Sequence, residues 1–391
     1  MPKRLVYLDN AATTPVRPEV LEAMLPYLGR DAFGNPSSPH RFGRAARAGV
    51  EEAKRGIAEA LGAEPSQVIF TSGGTEADNL AVIGCALAAR EHGGPFRVAV
   101  SAIEHKAVLA AAHAVARLGG EEIILPVDGA GQVAEDALDQ ALARGVALVS
   151  VMWVNNEIGV VQPVARLAAR CREAGVPFHV DGVQAFGKIP VSLHDVACTL
   201  LTISGHKIGA PKGIGALVVR DRHVIEAIIH GGGQQFGIRP GTENVPGIVG
   251  LGAAAALAAR EQAAFAATVA ALRDELERRL VAIVPDAVIN AAHGRRAPHV
   301  TSVSIPGTDS EALLMHLDLA GIACSSGSAC STGAVEPSHV LTAMGVAREL
   351  GVAALRFSFG KENTLEDVDA LIAALPKIVE KVRALSAVLH R

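Results

Sequence analysis

Solid apolar runs alternate along this chain with segments whose apolar positions recur every three or four residues. VIFTS (68–72), RVAVSA (97–102), EEIILPV (121–127), VALVSVM (146–152) and PFHVDG (177–182) have the first texture and predict strands. Between them the spacing predicts a helix over 75–90, with Leu80, Ile83, Gly84 and Leu87 on one face. Further helices are predicted over 107–118, from about Ala134, and over 163–174. Two more runs, TLLTIS (199–204) and GALVVR (215–220), predict strands with no long helix between them. Strand–helix units with joints this short imply an α/β fold whose mainly parallel sheet is covered on both faces.

The texture changes near residue 245. A long Ala-rich helix is predicted to about Val284, then a strand in HVTSVSI (299–305), a helix from about Ser310, a strand in ALRFSF (354–359) and an amphipathic helix from Leu365. This predicts a smaller α+β unit with the long helix as connector. Composition fits such a core: 50 % of the 391 residues are apolar but only 3 % are aromatic, so Ala, Val, Leu and Ile must fill it. A net charge of −4 gives no basic footprint for nucleic acid or a membrane surface. No apolar run reaches a membrane span, and the N-terminus lacks a signal-peptide core. Five cysteines without a CxxC pair fit a reducing cytoplasm and no zinc site. Cys85, Cys171 and Cys198 sit among apolar residues and are expected to be buried thiols.

Three stretches carry candidate chemistry. In TSGGTEADN (71–79) a strand runs through glycines into a helix start, where backbone N–H groups and the helix dipole favour a phosphate. Thr75 is expected to cap that helix, and a plain capped helix start fits the motif equally well. The GK[ST] ending of a nucleotide-binding P-loop is missing. In HVDGVQAFGK (179–188), Asp181 closes a strand at the end where open α/β sheets bind ligands. In ISGHKIGAPKGIG (203–215), Lys207 follows a strand on a glycine-rich turn beside Ser204 and His206. A phosphate cradle, an acid and a lysine in this arrangement suit pyridoxal 5'-phosphate, which needs a Schiff-base lysine, an acid for its pyridinium nitrogen and a phosphate site. A fourth stretch, SSGSACSTG (325–333), sets Cys330 among small residues that pack poorly. A mobile segment over 326–334 is expected there.

Taken in order, YLDNAATTP (7–15), FGNPSSPHRFGR (33–44), TSGGTEADN, SAIEHKAV (101–108), VNNEIGVVQP (154–163), HVDGVQAFGK, SGHKIGAPKGIG, RPGTEN (239–244), SSGSACSTG and LRFSFG (355–360) resemble the cysteine desulfurases of the NifS/IscS type. The resemblance spans nearly the whole chain. It implies a fold-type I pyridoxal phosphate-dependent transferase, with a seven-stranded mainly parallel sheet in a large domain over 15–260. Residues 1–14 and 261–391 would form the small domain that carries the cysteine loop. The implied enzyme is a homodimer that converts L-cysteine to L-alanine and leaves a persulfide on Cys330. Lys207 would be the Schiff-base lysine, Asp181 the partner of the ring nitrogen and Gln184 that of the phenolic oxygen. His105 would stack on the ring and move protons. Gly74, Thr75, Ser204 and His206 would hold the phosphate, and Thr242 would reach a phosphate in the neighbouring subunit. Asn156, beside the cofactor, and Arg356 would receive the substrate carboxylate, for which a guanidinium fork is suited.

The implied partners are iron–sulfur scaffolds or other sulfur acceptors, with cytoplasmic localisation. No metal site is implied, beyond a passing ligation of an iron–sulfur cluster by Cys330 during transfer. Cys324, after apolar Ile322 and Ala323, reads as a structural thiol at a strand end. Lys207 and Asp181 also fit a selenocysteine lyase or a class V aminotransferase, although the latter needs no thiol such as Cys330. A sulfur-scaffold protein that had lost its chemistry would be expected to lack the lysine or the cysteine.

Overall fold

The computed structural model describes residues 5–327 and 336–389, with the side chains of 387–389 excepted. The chain runs through β1 (Val6–Tyr7), α1 (Pro18–Leu28), α2 (Arg41–Leu61), β2 (Val68–Thr71), α3 (Gly74–Glu91), β3 (Arg97–Ser101), α4 (Lys106–Arg117), β4 (Glu121–Leu125), α5 (Glu135–Ala143), β5 (Leu148–Ser150), α6 (Val164–Glu173), β6 (Phe178–Asp181), β7 (Leu200–Ser204) and β8 (Gly215–Val219). Then come α7 (Val245–Ile283), β9 (Val288–Ile289), β10 (Val300–Ser304), α8 (Ser310–Leu319), β11 (Ile322–Ala323), α9 (His339–Ala343), α10 (Arg348–Gly351), β12 (Ala354–Ser358) and α11 (Leu365–Leu389).

Seven strands form one sheet in the order β2-β8-β7-β6-β5-β3-β4. The strands β4, β3, β5, β6 and β7 run parallel, and β8 lies antiparallel to both β7 and β2. The direct β7–β8 pairing explains why no helix intervenes between those two runs. Apolar clusters cover both faces of the sheet, one with α2, α6 and the N-terminal part of α7, the other with α3 and α4. Chain order and the right-handed crossover rule bring the C-terminal ends of β6, β7, β5 and β3 to one edge, which becomes the floor of the site.

Helix α3 differs from its predicted one-sided stripe. Leu80 and Gly84 are buried, and Ile83 and Leu87 are half-buried, but Ala77, Ala81, Val82, Cys85 and Ala86 are buried too. The helix is held between the sheet, α4 and the 222–226 segment, so small residues bury nearly all round. Helix α7 begins at an Asn244 side chain that accepts from the Gly247 N–H at 3.2 Å, a cap of about 1 kcal/mol. Its first turns, to Leu257, belong to the sheet core. Val269, Leu272, Leu276 and Leu280 belong to a second core with β10, β12, α8 and α11. Val6 and Leu8 join that second core because β1 pairs in parallel with β11. One long helix therefore links the two cores, and the N-terminal segment is stitched to elements near the far end of the chain. Cys85, Cys171 and Cys198 are buried, and burial alone pushes each thiol upward.

Candidate active site

A cavity of about 310 Å³ opens at the strand ends, lined among others by Gly74, His105, Asp181, Ser204, Lys207 and Arg356. Thr75, Asn156, Gln184 and His206 also reach it. Of the sequence-derived candidates, Thr242 is placed elsewhere, on an exposed turn. Cys330 and all but the first two residues of its expected mobile segment, 326–334, fall within 328–335, outside the described residues.

The anion cradle begins at Gly73, which has φ +157° and ψ −177°, a conformation that glycine alone adopts readily. Gly73 is the N-cap, so the helix starts two residues earlier than a Thr75 cap requires, and Thr75 lies in the first turn. The fit is tight: a Cβ at Gly215 would stand 2.8 Å from the Gly73 backbone, and one at Gly74 3.1 Å from Val183. The first N–H groups of a helix have no intrahelical acceptor. Beside them the Ser204 Oγ is buried without a hydrogen-bond partner among the described residues. An orphaned hydroxyl facing free N–H donors is the donor set that a phosphate would satisfy. His206 stands close by, its Nδ1 3.1 Å from Thr13 Oγ1, and burial lowers its pKa to about 4.

Lys207 ends a short 3₁₀ turn directly after β7, and its Nζ donates to the Ala11 and Ala12 carbonyls at 2.6 and 2.8 Å. Burial is the main cause that lowers its pKa to about 8, helped by Arg356 and opposed by Asp181 and Asp9. Asp181 is the last residue of β6, and its Oδ1 accepts from the Val183 N–H at 2.9 Å. Burial raises its pKa, while the hydrogen bond, His105 and Lys207 pull the other way. A cation placed against it, such as a protonated ring nitrogen, would restore its charge.

His105 caps α4, its Nδ1 accepting from the Ala107 N–H at 3.1 Å, which assigns the ring proton to Nε2 in the neutral form. Desolvation lowers its pKa further from the physiological range, with Asp181 opposing. Arg356, on β12, donates from Nη2 to Asp9 Oδ1 at 2.6 Å and from Nη1 to the Asn156 carbonyl at 3.0 Å. Its Nε is buried without an acceptor among the described residues, which leaves that N–H as a donor for a carboxylate. The Gln184 amide nitrogen donates to the Ala11 carbonyl at 2.8 Å, and its oxygen faces His299 Nε2 at 3.1 Å.

Several site residues carried no signal of their own in the sequence. Asp78, which lines the cavity, and Glu104 are both buried, and burial raises both, Glu104 to about 8. Glu104 Oε1 accepts from Ser101 Oγ at 2.5 Å and the Met152 N–H at 2.7 Å. His179 is also buried, held at about 3 by burial, with Nδ1 2.8 Å from Ser150 Oγ and Nε2 2.9 Å from Thr202 Oγ1. Both acids lie within quoted motifs, Asp78 in TSGGTEADN and Glu104 beside His105. Cys324 follows β11, and burial lifts its thiol to about 12, which suits a structural role. No helix among the described residues is long and apolar enough to cross a membrane, and among the same residues no group of three His, Cys, Asp or Glu side chains could hold a metal.

Sheet order and site together define the class: residues 6–371 match the family described as Aminotransferase class-V, and the chain belongs to that family. It is 44 % identical over 384 residues to a cysteine desulfurase IscS of Dictyoglomus turgidum, covering 98 % of this chain and 97 % of the relative. It is 46 % identical over 385 residues to a cysteine desulfurase of Cereibacter sphaeroides, covering 97 % of each. The NifS-like protein from Rickettsia africae superposes with a TM-score of 0.86 at 34 % identity, over 96 % of this chain and 100 % of its own. A structure of SspA in complex with cysteine gives a TM-score of 0.79 at 33 % identity, over 90 % of this chain and 98 % of its own. Likeness at this level, over nearly the whole chain, places the branch within the family: cysteine desulfurases of the NifS/IscS type.

Proposed function

We propose that the protein is a pyridoxal phosphate-dependent cysteine desulfurase, which moves sulfur from L-cysteine onto Cys330 and releases L-alanine. The observation that carries this reading is where the Cys330 segment leaves and returns. Ser325 and Arg356 exchange backbone hydrogen bonds of 3.1 and 2.6 Å, and Arg356 lines the cavity. On the return, Ser338 Oγ bonds Glu157, and His339 Nε2 meets the Glu104 carbonyl at 3.0 Å, next to His105. Cys330 is five residues past Ser325, a chain length of up to about 17 Å. Both flanks are thus tied to the rim of the cavity that holds Lys207.

Pyridoxal phosphate would supply an electrophilic carbon for the substrate amine and a ring that withdraws electrons from the substrate α-carbon. Lys207 would hold it covalently, Asp181 would face its ring nitrogen, and the α3 N-terminus with Ser204 and His206 would take its phosphate. Gln184 would meet the phenolic oxygen by exchanging its bond to Ala11. Arg356, with Asn156 beside it, orients the substrate through its carboxylate. Lys207 Nζ would also move the substrate's α-proton; a pKa of about 8 lets it both accept and return a proton near neutral pH. Cys330 attacks as a thiolate, its proton passing to a neighbouring base, for which His105 is placed. The new S–S bond forms as the substrate's Cβ–S bond breaks, so one cysteine and one thiol give one alanine and one persulfide.

Thr242, exposed and outside its own cavity, is available to the partner subunit's phosphate. Leu21, Leu25 and Leu28 form an exposed apolar stripe on α1 that a homodimer would cover. The expected setting is the cytoplasm, with an iron–sulfur scaffold as acceptor. The test is alanine release from L-cysteine by purified protein that shows a visible cofactor band. Cys330→Ala should keep the band and lose alanine release. Undiminished release in that variant would remove Cys330 from the reaction, and a colourless, inactive wild type would remove the enzyme assignment.

A further inference from the structure

A second cavity, of about 450 Å³, is larger than the one at the strand ends and lies on the other side of Lys207, between the N-terminal segment, α7 and the 360–363 turn. Its inner wall carries Lys188, which is only 8 % exposed and whose ammonium sits 4.4 Å from the Phe265 ring centroid. The ring satisfies one side of that ammonium. Its N–H donors have no hydrogen-bond or ion-pair partner among the described residues. The position is imposed by the fold. Gly187, at φ +74°, presses so closely on α7 that a Cβ there would come within 2.9 Å of the Ala258 Cβ. The turn therefore drives Lys188 inward.

Among the described residues the neighbouring charges do not pair with Lys188: Glu362 lines the cavity but is exposed on its turn and makes no ion pair with it. Glu261 is already held by Arg17, through bonds of 2.9 and 3.0 Å, and by Lys361 at 2.8 Å. Lys212 lines the same cavity, exposed and without an acid partner among the described residues. Lys207 is bonded to backbone carbonyls and faces the other cavity as well. A buried ammonium without an acid is costly, and an anion supplied from outside is the group that would relieve it. Around the charge the walls are largely hydrocarbon: Tyr7, Pro15, Ile208, Ala258 and Phe265. A concave, largely apolar site of this size with a few placed charges is the form taken by small-molecule sites.

We propose that this second cavity is a binding site for a small organic anion, a carboxylate carried on a flat apolar body, with Lys188 as the residue that pairs with the carboxylate. It is a site distinct from the substrate's, since Arg356 and the cradle at α3 line the other cavity. The inference does not depend on the desulfurase reading.

Calorimetric titration of the cofactor-loaded protein with sodium 2-naphthoate tests it. One saturable site per chain is expected, with the neutral 2-naphthamide at least about tenfold weaker. Lys188→Met should weaken naphthoate binding by at least about tenfold, as should Ala258→Phe, which fills the cavity without altering a charge. Arg356→Lys, which changes the substrate cavity, should leave it within about twofold. The visible cofactor band and circular dichroism of each variant report that it has folded. Absence of saturable binding in the millimolar range, naphthamide binding equally well, or binding unchanged in folded Lys188→Met and Ala258→Phe would each overturn the proposal.

Discussion

Lys207, half-buried, and Lys188, buried, both line the larger cavity, and burial lowers both to about 8. Their surroundings separate them. Lys207 sits at the strand ends with Asp181, His105 and Arg356 and has two carbonyl acceptors. Lys188 has an aromatic ring, apolar walls and cations for company. A depressed lysine pKa therefore does not identify a catalytic lysine here. What identifies it is a depressed lysine beside an acid, an orphaned hydroxyl and a helix N-terminus. The same desolvation would serve a Schiff-base lysine at Lys207 and, as proposed above, an anion-binding ammonium at Lys188.

The comparison can be broken most forcefully at Lys207. Lys207→Ala should lower the rate of alanine release from L-cysteine by at least about 1000-fold. A variant within tenfold of wild type would place the chemistry on another residue. Asp181→Asn keeps the shape but removes the charge opposite the ring nitrogen. It should cost on the order of 100-fold in kcat, read in the same assay, without loss of the cofactor band. Arg356→Lys keeps a cation near Asp9 but loses the planar fork. The expected result is a kcat/KM lowered by about ten- to thirtyfold, carried mainly by KM. An effect confined to kcat would argue that Arg356 acts on the reaction and not on the substrate carboxylate.

Lys188→Met sharpens the contrast from the other side, with activity expected within about twofold of wild type. Stability should move instead. The folded pKa of Lys188 lies below its unfolded value of about 10.4, so the ammonium is the form that folding penalises. Between about pH 8 and 10.4 the unfolded chain binds more protons, and wild-type stability gains from this group as pH rises. Methionine removes the penalty. The variant should be more stable at pH 7, by on the order of 2 kcal/mol, and its advantage should shrink as pH rises toward 10. Urea midpoints at pH 7 and pH 9.5 measure both. An advantage that grows with pH would show that Lys188 is not a desolvated ammonium.

The main strands and long helices were legible because their apolar runs are uninterrupted and their joints short. Asp181, Ser204, His206 and Lys207 were legible because each ends or directly follows a strand, and parallel strands deliver such positions to one edge. What the residues alone did not reveal depends on contacts between distant parts of the chain. Asp9 and the Ala11 and Ala12 carbonyls reach the site because β1 pairs with β11 from the opposite end of the sequence. Asp78 and Glu104 look like ordinary helix-start residues until the sheet closes over them. The helix cap expected at Thr75 falls instead to Gly73, whose backbone conformation no composition rule reports. Lys188 closes HVDGVQAFGK like any solvated lysine; only the pressure of α7 on Gly187 turns it inward.

The most direct test of the central claim asks the two lysines themselves. Purified, coloured protein is reduced with borohydride, digested, and its pyridoxyl-modified peptide is sequenced by mass spectrometry. The label is predicted on Lys207, in the peptide that contains SGHK. A label on Lys188, or on any other lysine, would contradict the account.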